Sequence, residues 1–122
     1  MAEVTENGYQ TLRDLIDGTN TGRSWDWHSI LDDTSSEVTR VDPSDSRSEW
    51  THGNGSQTLV RETTLTGEDS DITTPVTLSA SALHETETDS DNLTEEESFT
   101  DATIEGADDE VKVTHEIEVP QV

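Results

Sequence analysis

Four histidines, many serine and threonine hydroxyls and twenty-nine acidic residues are the groups in this 122-residue chain able to do chemistry. Their spacing narrows which chemistry that would be. His28, His52, His84 and His115 show neither the helical His-Glu-x-x-His spacing nor the ligand intervals of a structural zinc site. His84-Glu85 and His115-Glu116 fall in extended stretches, where neighbouring side chains point to opposite faces, so neither pair is expected to converge on a metal. All four histidines are expected at surface or edge positions. Asp89-Ser90-Asp91-Asn92 and Glu68-Asp69-Ser70-Asp71 are similar to fragments of calcium loops, but neither continues into the glycine and bidentate glutamate of the twelve-residue loop. Loose, non-specific cation binding is the expectation there. Carboxylates are so numerous that no pair is singled out for glycosidase-type acid/base work. There is no Gly-x-Ser-x-Gly elbow and no glycine-rich loop to cradle phosphate, so the chain reads as non-enzymatic and without a cofactor. Asn54-Gly55-Ser56 and Asn92-Leu93-Thr94 match the glycosylation triplet, a coincidence that a Ser/Thr-rich chain produces freely.

Charge is the dominant property of the elements that must carry these groups. Lys112, Arg13, Arg23, Arg40, Arg47 and Arg61 are the only cationic side chains apart from histidine, and the formal charge is −23. Such a charge opposes compaction in dilute buffer. At molar salt the Debye length falls to roughly 3 Å and most of the repulsion is screened. The composition therefore reads as adaptation to brine. It leaves no basic stripe for a phosphate backbone, so nucleic acid is excluded as an expected partner. The chain has no cysteine, which excludes disulfides, thiolate metal sites and cysteine nucleophiles. No run approaches the length needed to span a membrane, and the acidic start with Glu3 and Glu6 lacks the features of a secretion signal. A soluble protein made without export is expected, with no membrane partner.

A hydrophobic content of 27% with 4% aromatics is also the composition of a disordered chain. The apolar residues are patterned, however, and the pattern is that of a fold. Leu12, Leu15 and Ile16 form a helical stripe between Asn7, the expected N-cap, and Gly18, the expected stop. A helix this short is marginal alone and needs something to pack on. Trp25 and Trp27 then alternate within a strand ending near Leu31, sharing one face as a core or interface anchor. Residues 32–56 are polar and punctuated, an exposed connection in which Glu37 to Val41 can pair briefly. Residues 57–65, 75–84, 96–104 and 111–119 are rich in threonine, valine and leucine and are separated by turn residues. Val76, Leu78, Ala80 and Ala82 alternate cleanly, as do Val111 and Val113 and, after a step at His115, Ile117 and Val119. Threonine is expected on the outward positions of these strands. The fold class that follows is all-β: an antiparallel β-sandwich or jelly-roll-like domain over 23–122, preceded by a helical docking segment over 1–22.

The order of segments resembles that of the small structural proteins of tailed bacteriophages and haloarchaeal tailed viruses. The resemblance lies in a leading helix ending at Gly18, the strand Trp25 to Leu31, Leu59-Val60-Arg61-Glu62 after a polar loop, and Thr77 to Glu85. Ser98-Phe99-Thr100-Asp101-Ala102 and Val111 to Val119 complete it. It implies a virion protein made in the host cytoplasm and exposed on the particle surface. A capsid decoration or turret subunit is the first implied role, and a tail-fibre or baseplate component is the alternative. The implied partners are further copies of the chain in a symmetric homo-oligomer and a major capsid or tail protein, with Leu12, Leu15, Ile16, Trp25 and Trp27 as interface or core anchors. A halophilic adhesion module binding glycans or a host surface through exposed tryptophan is the reading from another class.

Overall fold

Runs of threonine, valine and leucine alternating with charged residues favour pleated strands with one buried face, and acidic turns separate them. In a computed structural model describing residues 3–17, 27–53, 58–88, 92–94 and 96–118, these runs build an antiparallel β-sandwich behind one N-terminal helix. The elements are α1 (Glu6–Asp17), β1 (Trp27–Asp32), β2 (Glu37–Val41), β3 (Ser48–Trp50), β4 (Thr58–Thr66), β5 (Val76–His84), β6 (Glu97–Ile104) and β7 (Glu110–Glu118). One sheet has the order β2-β1-β5-β6 and the other β3-β4-β7. The chain thus lays down hairpins alternately in the two sheets and finishes with β7 against β4. Within residues 32–56, expected as an exposed connection, Glu37–Val41 pairs as the brief strand expected there, β2, and β3 is a further, unexpected strand. Val41, Thr39 and Ser48 are buried there, because alternation over five residues is enough to place Val41 in the core.

One half of the space between the sheets is apolar: Ile30, Val41, Leu65, Ile72, Leu78, Ile104 and Val113, with Val38, Val76, Phe99 and Val111 packed against them. The expected clean alternation of β5 does not hold. The register slips between Leu78 and Ala80, so that Ala80 pairs with Leu31 and Ser81 with Ile30. The bulge lets Leu78 and Ser81, three residues apart, both face the interior. In β7 the expected step at His115 is absent. Val113, His115 and Ile117 are buried in strict alternation, and the histidine occupies a core position.

Helix α1 starts two residues earlier than Asn7 as N-cap would set. Thr5 is the cap, its hydroxyl accepting the Gly8 N–H at 3.1 Å while donating to the Asn92 carbonyl at 2.6 Å. The Thr5 N–H donates to the Leu93 carbonyl, and Val4 bridges Thr94. Gly8 is buried against this segment so closely that a Cβ there would overlap the Leu93 carbonyl oxygen and lie 2.7 Å from Val4 Cγ1. Thr11, one turn on, is fully buried. Among the described side chains of α1, Gly8 and Thr11 are the ones buried against the domain. Gly18 and Trp25 lie outside the described residues, and so does the side chain of Leu15.

Candidate functional site: a buried polar row and an exposed helix stripe

The rest of the interior combines the buried Leu83, Leu93 and Ile117 with a row of polar side chains. On β4, period-two alternation that puts Leu65 in the core also puts Thr63 and Arg61 there, and β1 does the same for Ile30 and His28. The Thr63 hydroxyl donates to Ser48 Oγ at 2.8 Å, which leaves its lone pairs for the Nδ1–H of His28 at 2.7 Å. That chain assigns His28 the Nδ1–H tautomer, and its Nε2, a bare acceptor, has no partner among the described residues. His115 is held at both nitrogens, by Ser81 Oγ on Nδ1 at 2.8 Å and by Thr94 Oγ1 on Nε2 at 2.7 Å. The two imidazoles meet edge to face with centroids 6.1 Å apart. Arg61, the register partner of His115 across β4 and β7, lies 5.4 Å from the centre of the Trp50 ring. His52 packs edge-on against the other side of this corner, 5.6 Å from Trp50.

Burial keeps both core histidines neutral. The cost of desolvating an imidazolium lowers His28 to about 3, with further lowering from His115 and Arg61. Burial likewise lowers His115 to about 4. Three of the four histidines, His28, His84 and His115, are buried, contrary to the surface positions expected from sequence. The physical reason is that serine and threonine hydroxyls on facing strands satisfy ring nitrogens that water would otherwise have to satisfy. The signal was present in the sequence: 61, 63, 65 on one strand and 113, 115, 117 on another are period-two sets with polar members.

Ser81, His115 and Glu97 are the ingredients of hydroxyl–imidazole–carboxylate catalysis, but the geometry is not that of a nucleophile and its base. Ser81 and the Glu97 carboxylate, 3.8 Å away, both approach Nδ1, so the acid does not orient the ring from the nitrogen opposite the serine. The Glu97 carboxylate accepts the Glu116 N–H at 2.7 Å. Ser81, Thr94 and His115 are each fully buried, and the cluster acts as a hydrogen-bonded staple between the sheets and the 92–94 segment.

The acidic motifs are likewise engaged within the chain. Of the two calcium-like fragments, residues 89–91 lie outside the described residues. In the other, Asp69 accepts the Thr66 N–H and hydroxyl, and Arg47 bonds Asp69, Asp71 and Asp45 at 2.8 to 3.0 Å. The Arg47 guanidinium fills the centre of this carboxylate ring and holds Asp45 and Asp71 below the usual carboxylate range. Among the described residues no group of three or more His, Asp or Glu side chains is arranged to hold a metal. Of the glycosylation triplets, Asn54 is outside the described residues, and Thr94 has its hydroxyl buried on His115.

The predicted anchors separate. Trp27 is half-buried at the start of β1, paired with His84. Leu12 and Ile16 lie on the outer side of α1 with Tyr9, exposed to 38%, 85% and 44%. At 100° per residue Tyr9, Leu12 and Ile16 fall within an arc of about 60°. They are the only large apolar side chains exposed among the described residues. On the helix flank Arg13 pairs with Glu6 at 2.6 Å.

Comparisons with protein families, with characterised proteins and with solved structures find no match for this chain. The class that the geometry itself defines is an acidic, antiparallel two-sheet sandwich with a helix clipped to its flank.

Proposed function

We propose that this chain is a non-enzymatic structural subunit of a virion that works in brine, a surface-exposed capsid decoration or turret protein assembling as a symmetric homo-oligomer. The observation that carries the reading is the Tyr9, Leu12 and Ile16 stripe, which the fold turns away from its own core. Burying such side chains is worth roughly 1.5–3 kcal/mol each. The helix is clipped to the sandwich by Thr5, Gly8 and Thr11, on a side other than the stripe, which keeps the stripe free for a neighbour.

The occupant we assign is a second copy. The stripe is close to symmetric about Leu12, with Tyr9 three residues before it and Ile16 four after. Two antiparallel helices would set Tyr9 of one against Ile16 of the other and Leu12 against Leu12, which is the self-matching geometry of a two-fold interface. The charge of −23 makes such pairing salt-dependent, opposed in dilute buffer and permitted where repulsion is screened. The buried hydroxyl–imidazole cluster supports the non-enzymatic part of the reading, because its hydroxyls are committed to holding the sheets together.

Light scattering across a salt series tests this. The native chain is expected to form a discrete oligomer at molar salt, and Ile16→Asp to stay monomeric there with an unchanged circular dichroism spectrum and without the concentration-dependent rise in unfolding midpoint that assembly gives the native chain. A monomeric native chain at every salt concentration overturns the proposal. An Ile16→Asp protein that still oligomerises overturns the assigned interface. Oligomerisation only after adding a virion scaffold protein would make that protein the occupant instead.

A further inference from the structure

His115 sits where the sandwich meets the segment that holds α1. Three of its walls are strands of continuous ladders: β4 with Arg61, β1 with His28, and β5 with Ser81. β6 contributes Glu97, whose carboxylate lies 3.8 Å from Nδ1 and is partly open to solvent. The remaining wall is Thr94, whose hydroxyl meets Nε2. Among the described residues, the segment around Thr94 is joined to the rest by the Leu93 N–H to the Leu83 carbonyl, the Thr5 N–H to the Leu93 carbonyl, and the Val4 bridge. The last two of these links, with the Thr5 hydroxyl on the Asn92 carbonyl, are also what hold the start of α1.

We propose that His115 is an acid-sensitive latch: a second proton on its ring opens the Asn92–Thr94 wall and releases helix α1 from the sandwich. Burial opposes a charged ring at this position, where Arg61 is the register neighbour, and the carboxylate 3.8 Å away, that of Glu97, is already engaged by the Glu116 N–H. The charge is relieved by water. Water enters by the Asn92–Thr94 wall, which among the described residues is a single isolated bridge and not a strand of a continuous ladder, because local opening follows the least protected segment. His28 stays enclosed by β1, β4 and Ser48 during such an opening, so it takes no part. The latch concerns only the attachment of α1 to its own domain and stands whether or not the helix pairs with a second copy.

The size of the effect follows from linkage. A ring that titrates at an ordinary 6.5 when open and at about 4 when closed multiplies the opening ratio by roughly 30 at pH 5 relative to pH 8. Amide hydrogen exchange on the dilute monomeric chain at constant molar salt, corrected for intrinsic rates, reads this at Thr5, Gly8, Tyr9 and Leu93. Protection there is expected to fall by about 30-fold between pH 8 and 5. The β4 and β7 ladder amides of Thr63 and Val113 report global unfolding, so they should follow the urea-derived stability at each pH and stay better protected than α1 throughout. His115→Gln, a neutral side chain able to bond both hydroxyls, should hold α1 protection flat across the range. Should that variant fail to fold, Thr94→Val serves instead: it removes the wall's bond to the ring and should lower α1 protection already at pH 8. Flat protection in the native chain, an equal loss in His115→Gln, or an unaltered α1 in Thr94→Val would each overturn the latch.

Discussion

Lowering the pH from about 7.5 to about 5 at molar salt should destabilise the whole fold, and His28 and His115 set the amount. A base whose folded-state pKa is depressed is neutral in the native protein, whereas the unfolded chain takes up a proton below 6.5. Stability is therefore full above 6.5 and is lost as the pH falls towards the folded values of about 4 for His115 and about 3 for His28. Between pH 7.5 and 5 each ring contributes about 2 kcal/mol of loss, roughly 4 kcal/mol together, from 2.303RT per proton taken up by the unfolded state. That is a large share of the 5–15 kcal/mol typical of a small domain. Carboxylate repulsion works in the opposite direction, but it is screened at molar salt, and Asp45, Asp69 and Asp71 stay ionised in this window because hydrogen bonds to Arg47 and nearby groups lower them. Urea unfolding followed by tryptophan fluorescence measures the slope, and His28→Gln and His115→Gln should each remove about half of it. A native chain equally stable or more stable at pH 5 would refute the reasoning, since it would mean that the rings are hydrated or charged in the fold.

Two further outcomes follow from the local geometry. Gly8→Ala places a Cβ against the Leu93 carbonyl and Val4, so it should cost about 1–3 kcal/mol in urea unfolding and lower protection throughout α1, whereas helix propensity alone would make alanine stabilising. Arg47→Met leaves Asp45, Asp69 and Asp71 facing one another without their shared cation. Because Arg47 is itself a quarter exposed, the loss should be near 1 kcal/mol in dilute buffer and smaller at molar salt, read as the difference in unfolding midpoint between the two conditions.

The β architecture was legible because threonine-rich runs, alternation and turn residues all point one way along 57–119. The strand ends lie within two residues of the expected ones wherever those ends fall among the described residues. The polar row was not read, although its members are on the same alternation. Period two says which face a residue takes, and composition then assigns a histidine or arginine on that face to an edge. Only the three-dimensional match of Thr63 with His28, and of Ser81 and Thr94 with His115, makes the interior position affordable. The bulge at Ser79–Ala80 was hidden for a related reason: alternation in sequence is unbroken there, and the slip is imposed by pairing with β1. The helix stripe was visible as a stripe, but which of its sides meets the domain depends on Gly8 and Thr11, and small residues carry no weight in a hydrophobic pattern.

Two electrostatic systems with different dependences therefore coexist in one chain. The carboxylates and the Arg47 clasp lie at the surface, where ions reach them, so their contributions fade as salt rises. His28, His115 and Arg61 lie between the sheets, where the cost is desolvation and mobile ions have no access. Raising the salt should consequently increase stability, by screening the −23 charge, and should leave the histidine share of the slope against pH between 7.5 and 5 intact, so the total slope stays the same or steepens as the opposing carboxylate share is screened. A slope that shrinks in step with the Debye length would place the titrating groups at the surface. The buried row could not then be its source, and the latch at Thr94 would lose its driving force along with it.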